Sequence, residues 1–225
     1  MIIKVLMASH LGSLFRYDTI KRALKSIADQ TQTPDFVLLA YSYDHHEPDI
    51  AEWVSILGNI PLVTIKSSTK LCQFDHYKNL LELVDDTDLI CFLDDDDLYR
   101  PDKIETISNI VQKSDFKGII RHIYWEFYDA GDEVLCDKDD LSIKFLLYRA
   151  EFWTFCIYGF ILKKFFDNEF YPEYYSVNPH LVDVYFAVWI DSCYKPIIKL
   201  CEKPLMYSRK NFLIPRDYRC NSETK

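Results

Sequence analysis

The sequence predicts an α/β fold, a mainly parallel, Rossmann-like central sheet with helices on both faces, and three observations carry this. Short apolar runs alternate with amphipathic segments of helical period through the first half of the chain, the order that builds a parallel sheet covered on both sides. One of these runs, Leu89-Ile90-Cys91-Phe92-Leu93, feeds directly into four acids, Asp94 to Asp97, closed by Leu98-Tyr99-Arg100-Pro101. At 225 residues with 49% hydrophobic and 16% aromatic content, the chain can bury one sizeable core and needs no second domain.

Ile2 to Ala8 reads as the first strand, and Ser9-His10-Leu11-Gly12-Ser13 as the loop leaving it. From Asp18, the residues Ile20, Ala23, Leu24, Ile27 and Ala28 recur at three-and-four spacing while Lys21, Arg22, Lys25, Ser26 and Asp29 fill the other face, which predicts a helix stopped before Pro34. Phe36 to Tyr41 is a second buried strand, Ile50 to Leu57 a short helix ended by Gly58-Asn59, and Pro61 to Lys66 a third strand. Phe74, Tyr77, Leu80, Leu81 and Val84 share one face of a helix before the fourth strand. Pro101 and Asp102 then open a helix carrying Ile104, Ile107, Ile110 and Val111.

The second half has weaker periodicity. Gly118 to Trp125 reads as a strand, Asp137 to Asp140 as an acidic loop, and Tyr158 to Leu162 as a further strand. Leu181 to Ile190 is apolar almost throughout, so Asp183 is an ionisable group in a buried helix. Burial raises a carboxyl's pKa unless a partner offsets it, and a carboxylate in a dry pocket is how enzymes make a general base.

Charge and cysteine usage exclude several classes. The net charge of -9 and the lack of a basic run argue against a nucleic-acid partner or an anionic membrane surface. Seven Cys form an odd set with no Cys-x-x-Cys pair, which points to a reducing, cytoplasmic setting. Met1 to Met7 has no basic leader of a signal peptide. The longest apolar run, Phe152 to Leu162, is about half of the ~20 residues that a transmembrane segment needs. Peripheral membrane contact is left open by the aromatic second half.

The four acids carry the chemistry. Successive carboxylates repel one another and persist ionised at neutral pH only where water or a cation disperses the charge. In open α/β sheets, ligands bind at the carboxyl ends of the strands, where Ser9 and His10, Tyr41 to Asp44, and Asp94 to Asp97 converge. Only five Gly occur and neither glycine-rich phosphate loop is present, so a bound nucleotide diphosphate must be met by a metal and a few side chains. Mg2+ or Mn2+ suits that role, because both take oxygen ligands and bridge phosphates to carboxylates.

Phe92-Leu93-Asp94-Asp95-Asp96-Asp97-Leu98-Tyr99-Arg100-Pro101-Asp102-Lys103 resembles the Asp-x-Asp region of family 2 glycosyltransferases with the GT-A fold. Arg22 to Thr31 looks like that family's first helix, Phe74 to Leu80 like the helix before its metal strand, and Leu181-Val182-Asp183 falls where its Glu-Asp motif lies. The likeness runs from about Ile2 to Arg209. It implies one domain over 1–225, with 1–117 as the nucleotide-sugar-binding half and 118–225 as the acceptor-binding half. It further implies that Asp94 and Asp96 are the metal ligands, that Asp94 and Asp95 contact the donor, and that Asp183 is the catalytic base of an inverting transfer. Ser9, His10, Tyr41 and Arg209 complete the donor-binding set. The donor would be a nucleotide-diphosphate sugar, UDP-sugar favoured, and the acceptor a glycan or a protein- or lipid-linked sugar.

Three departures from the family pattern stand in the sequence. Ala40-Tyr41-Ser42-Tyr43-Asp44 has no Asp straight after the predicted strand, Ser9 to Gly12 lacks the Pro-x-Tyr-Asn pattern, and Val182 replaces the Glu of Glu-Asp. Asp102 reads as a helix-dipole residue, and the six His lack the i, i+4 pairing of a zinc helix. The aromatic segment Phe165 to Tyr175 reads as packing or as a loop over the acceptor. A nucleotidyltransferase and a non-catalytic, cation-dependent carbohydrate-binding module remain alternatives at this stage.

Overall fold

Alternation in the first half of the sequence becomes alternation in space. The computed structural model describes residues 1–114, 118–128, 133–136, 154–168, 182–194 and 198–210. In chain order, β1 (Ile3–Leu11), α1 (Leu14–Ala28), β2 (Phe36–Tyr43), α2 (Ile50–Leu57), β3 (Leu62–Lys66), α3 (Gln73–Asn79) and β4 (Leu89–Asp94) build the first half. β1 pairs in parallel with β2 and with β4, and β2 with β3.

The chain beyond β4 extends the same sheet. It contributes β5 (Leu98–Tyr99), α4 (Lys103–Ser114), β6 (Ile119–Tyr128), β7 (Glu133–Cys136), β8 (Phe155–Tyr158), α5 (Gly159–Phe166), α6 (Val182–Tyr194) and β9 (Ile198–Lys210). The strand order is β3-β2-β1-β4-β8-β6-β9-β5, with β7 on β6. β8 runs antiparallel between β4 and β6, while β6 and β9 are parallel.

Strand parity sorts the helices. Side chains alternate across a strand, and residues in register on neighbouring strands share a face. Ser9 and Tyr41 are in register and share one face, where Tyr41 meets Trp53 of α2 edge-on at 5.6 Å. His10 and Ser42 share the opposite face, where Tyr77 of α3 stands over Phe92 at 5.4 Å. Phe74 of α3 gathers Phe165 and Phe166 of α5 and Phe186 of α6 at 5.8 to 6.3 Å, the spacing of favourable aromatic pairs. Phe186 also meets Phe92 at 6.5 Å, so α6 is tied to the strand that bears the acids.

Four differences from the sequence reading change the chain around the site. β1 continues to Leu11, so Ser9 and His10 lie in the strand instead of a loop; the parallel ladder to β2 holds as far as Leu11 and Tyr43 despite their polar side chains. β2 likewise reaches Tyr43, so Asp44 does follow the strand directly. The helix over 74–84 stops at Asn79 and continues only as a 3-10 turn, Leu81–Leu83. Tyr158 to Leu162 is not a strand: the strand ends at Tyr158, and Ile161, Leu162, Phe165 and Phe166 are the buried face of α5. The acidic loop 137–140 and the aromatic stretch 169–175 lie outside the described residues. Among the described residues, no helix is long and apolar enough to cross a membrane.

Candidate active site

The acids leave the end of β4 in alternation. Asp94 and Asp96 are half-buried, whereas Asp95 and Asp97 are each only 3% exposed. The turn that produces this is closed by the Asp97 amide, which donates to the Asp94 carbonyl at 3.2 Å. Two of the four carboxylates are therefore partly open to solvent and two are drawn inward.

An internal cation and a hydroxyl hold the inward acid. Ser9 Oγ donates to Asp95 Oδ2 at 2.5 Å, and Arg16, in the first turn of α1, donates from one Nη1 to Asp95 Oδ1 at 2.7 Å and Asp96 Oδ2 at 3.0 Å. Burial pushes the Asp95 carboxyl up to about 6, against the pull of Arg16 and with the help of the Asp96 charge. On the α3 side, Gln73 Nε2 donates to Asp94 Oδ1 at 2.5 Å. Behind the turn lies Lys103, fully buried, with Nζ 3.9 Å from the centre of the Tyr99 ring. Burial lowers its pKa, and the Asp97 charge is among those opposing that shift.

Ser9 and His10, adjacent in sequence, diverge because strand side chains alternate. Ser9 supports the acids on the α1 side, while His10 lies on the α3 side, with Nδ1 2.9 Å from Ser42 Oγ and Nε2 3.2 Å from Asp44 Oδ2. Ser42 Oγ is in turn 3.3 Å from His76 Nε2. Tyr41 is 3% exposed against Trp53. Asp183 is the second residue of α6, one turn before Phe186, and Arg209 pairs with Phe127 near the end of β9. Sequence reasoning missed Arg16, Gln73 and His76, and it reached Ser42 and Asp44 only as part of the segment Tyr41 to Asp44 that follows an apolar run.

The donor set fits a hard divalent cation of one particular kind. Among the described residues, no three His, Cys, Asp or Glu side chains form a ready-made cage. Mg2+ and Mn2+ sites on nucleotides do not need one, since one or two carboxylates plus substrate phosphates and water complete the octahedron. Asp94 and Asp96, half-buried with an inward acid between them, match that requirement.

No family model and no curated relative matches the sequence. Solved structures do. Staphylococcus aureus TarS superposes with a TM-score of 0.65 at 15% identity, covering 93% of this chain and 37% of TarS. TarS 1–349 in complex with UDP-GlcNAc gives a TM-score of 0.65 at 13% identity, covering 94% and 59%, and its complex with UDP gives 0.64 at 14%, covering 94% and 61%. The chain thus spans 37 to 61% of the length of these structures. The likeness establishes a GT-A-type glycosyltransferase fold for this chain.

Proposed function

We propose that this chain is a metal-dependent glycosyltransferase that moves a sugar from a nucleotide-diphosphate donor to an acceptor hydroxyl with inversion. The observation that supports the proposal is the alternation at the end of β4, with Asp94 and Asp96 half-buried and Asp95 buried against Ser9 and Arg16. UDP is the favoured nucleotide, because TarS, with the same fold, was crystallised with UDP and with UDP-GlcNAc. We assign the acceptor to glycans or to protein- or lipid-linked sugars, and the setting to the cytoplasm.

Asp94 and Asp96 would hold Mn2+ or Mg2+, which when bound supplies positive charge to the departing diphosphate. Arg16 and Gln73 keep the two carboxylates oriented from opposite sides before the donor arrives. Asp183 takes the proton from the acceptor hydroxyl. The freed oxygen lone pair bonds to the anomeric carbon as the bond from that carbon to the diphosphate oxygen breaks, and the nucleoside diphosphate leaves with that electron pair. Asp44, just beyond β2, and His10 offer the base an acceptor and a polar edge, Tyr41 and Trp53 underpin the same strand, and Arg209 of β9 is assigned to the phosphates.

A thermal-shift panel of UDP, GDP, dTDP and CMP, each with and without Mn2+, tests the proposal. A ligand confined to the folded state adds about 2.7 kcal/mol at a hundredfold excess over its Kd. Stabilisation by one diphosphate only with metal is the expected result. Indifference to all four removes the transferase reading and leaves a cation-dependent carbohydrate-binding module in its place.

A further inference from the structure

Asp44, His10, Ser42 and His76 form a continuous row across the tops of β1 and β2 to α3, with successive separations of 3.2, 2.9 and 3.3 Å. Three of the four are buried: His10 is 7% exposed, Ser42 1% and His76 1%. Only Asp44, its side chain 47% exposed, reaches solvent. The far atom of the row, His76 Nδ1, is buried with no hydrogen-bond partner.

Hydrogen-bond counting gives the row a direction. A neutral imidazole has one N–H and one lone pair, and an ionised carboxylate only accepts. Asp44 therefore requires the proton of His10 on Nε2, which leaves Nδ1 to accept the Ser42 hydroxyl proton. Ser42 Oγ then accepts from His76 Nε2–H, and the bare lone pair falls on His76 Nδ1, the atom without a partner. The reverse direction needs a protonated Asp44 and strands a buried N–H at His76, the rarer and costlier defect. Burial keeps both rings neutral, lowering His10 and bringing His76 down to about 4. Gly12 closes the outer end, since a Cβ there would sit 3.2 Å from both Asp44 Oδ2 and His10 Nε2.

We propose that this row is a one-directional hydrogen-bond relay in which His76 is a positioning residue, fixing the Asp44 carboxylate through Ser42 and His10 for contact with the donor's nucleobase. The ligand half of this statement rests on the transferase reading above; the relay itself does not. A loose carboxylate loses rotamer freedom on binding, whereas one anchored from His10 has already lost it.

The test has two arms. Nitrogen-15 histidine spectra of the metal-free, nucleotide-free protein at pH 7.5 should show His10 and His76 neutral and protonated on Nε2; the opposite tautomer at His10 overturns the relay. Calorimetry with UDP and Mn2+ then compares the wild type with Ser42→Ala, His76→Leu and His76→Gln. The first two should bind ~5-fold more weakly, the scale of one lost hydrogen bond, and His76→Gln should recover most of the loss because its amide N–H replaces Nε2–H. Equal affinity in all four proteins overturns the positioning role. If the wild type binds no nucleotide, the transferase reading and the ligand of Asp44 fall together, while the tautomer spectra still decide the relay.

Discussion

Arg16 Nη1 lies 2.7 Å from Asp95 Oδ1, so a cation supplied by the chain's own first helix stands against a buried acid of the cluster. That pairing does not fully offset the cost of burial. Asp95 still titrates at about 6 instead of 3.8, with burial as the largest cause. A raised carboxyl contributes stability below its unfolded pKa and loses it as pH rises through the folded value. Two pH units correspond to about 3 kcal/mol. In the metal-free protein, the stability of Asp95→Asn relative to wild type should therefore rise by about 2 kcal/mol between pH 4 and pH 7, since the unfolded carboxyl is already half ionised at pH 4. Urea unfolding at the two pH values measures this, and a constant difference would count against a buried, strained Asp95.

His76 acts in the same window with the opposite sign. Burial lowers it from 6.5 to about 4, so its contribution is present above pH 6.5 and is lost as pH falls through 4. Relative to wild type, His76→Gln should lose about 3 kcal/mol between pH 4 and pH 7, by the same conversion. The two groups oppose each other in the native chain, and the double variant should restore a flat difference. A double variant as tilted as either single one would show that the two groups do not titrate as assigned.

Asp96 accepts from Arg16 at 3.0 Å while its side chain stays 21% exposed. If it is a metal ligand, Asp96→Asn should abolish manganese-dependent donor binding in calorimetry, because an amide oxygen is a weaker ligand and carries no charge. Unchanged binding would remove Asp96 from the metal assignment.

How far the sequence led depends on where each contact's partner lies. β1, β2 and β4 were legible because their apolar runs are stabilised by burial on both faces, which is written locally. β5 has two residues and β9 begins about a hundred positions later, so their pairing has no local signature. The acids were legible as a cluster, but not their alternation, which arises from a turn and from partners at Ser9 and Arg16 some eighty positions away. The strand placement of His10 and Ser42 was hidden for a different reason. Polar residues at a strand's end look like loop until the neighbouring strand's register continues past them.

Asp183 opens the helix that Phe186 anchors against Phe92, two residues before Asp94. As the proposed base, it acts only on the acceptor hydroxyl. Asp183→Asn should keep donor affinity while transfer falls ~10²-fold or more, the usual scale for loss of a general base. Full turnover in that variant would require another base.

Gly159 joins β8 to α5 at a point where the chain presses against the loop before β4. Its amide donates to the Asp88 carbonyl at 2.9 Å, and a Cβ on it would lie 2.0 Å from the Asp85 carbonyl oxygen and 2.7 Å from Val84 Cγ1. Backbone cannot yield as a flexible side chain can, so Gly159→Ala should force α5 away from β4. Overpacking of this sort costs about 3 kcal/mol. Because Phe165 and Phe166 of α5 rest on Phe74, one residue from Gln73 and its bond to Asp94, the shift should also weaken nucleotide binding. Paired measurements of urea midpoint and UDP affinity test both effects. A destabilised variant with wild-type affinity would show that α5 supports the sheet without setting the position of Asp94.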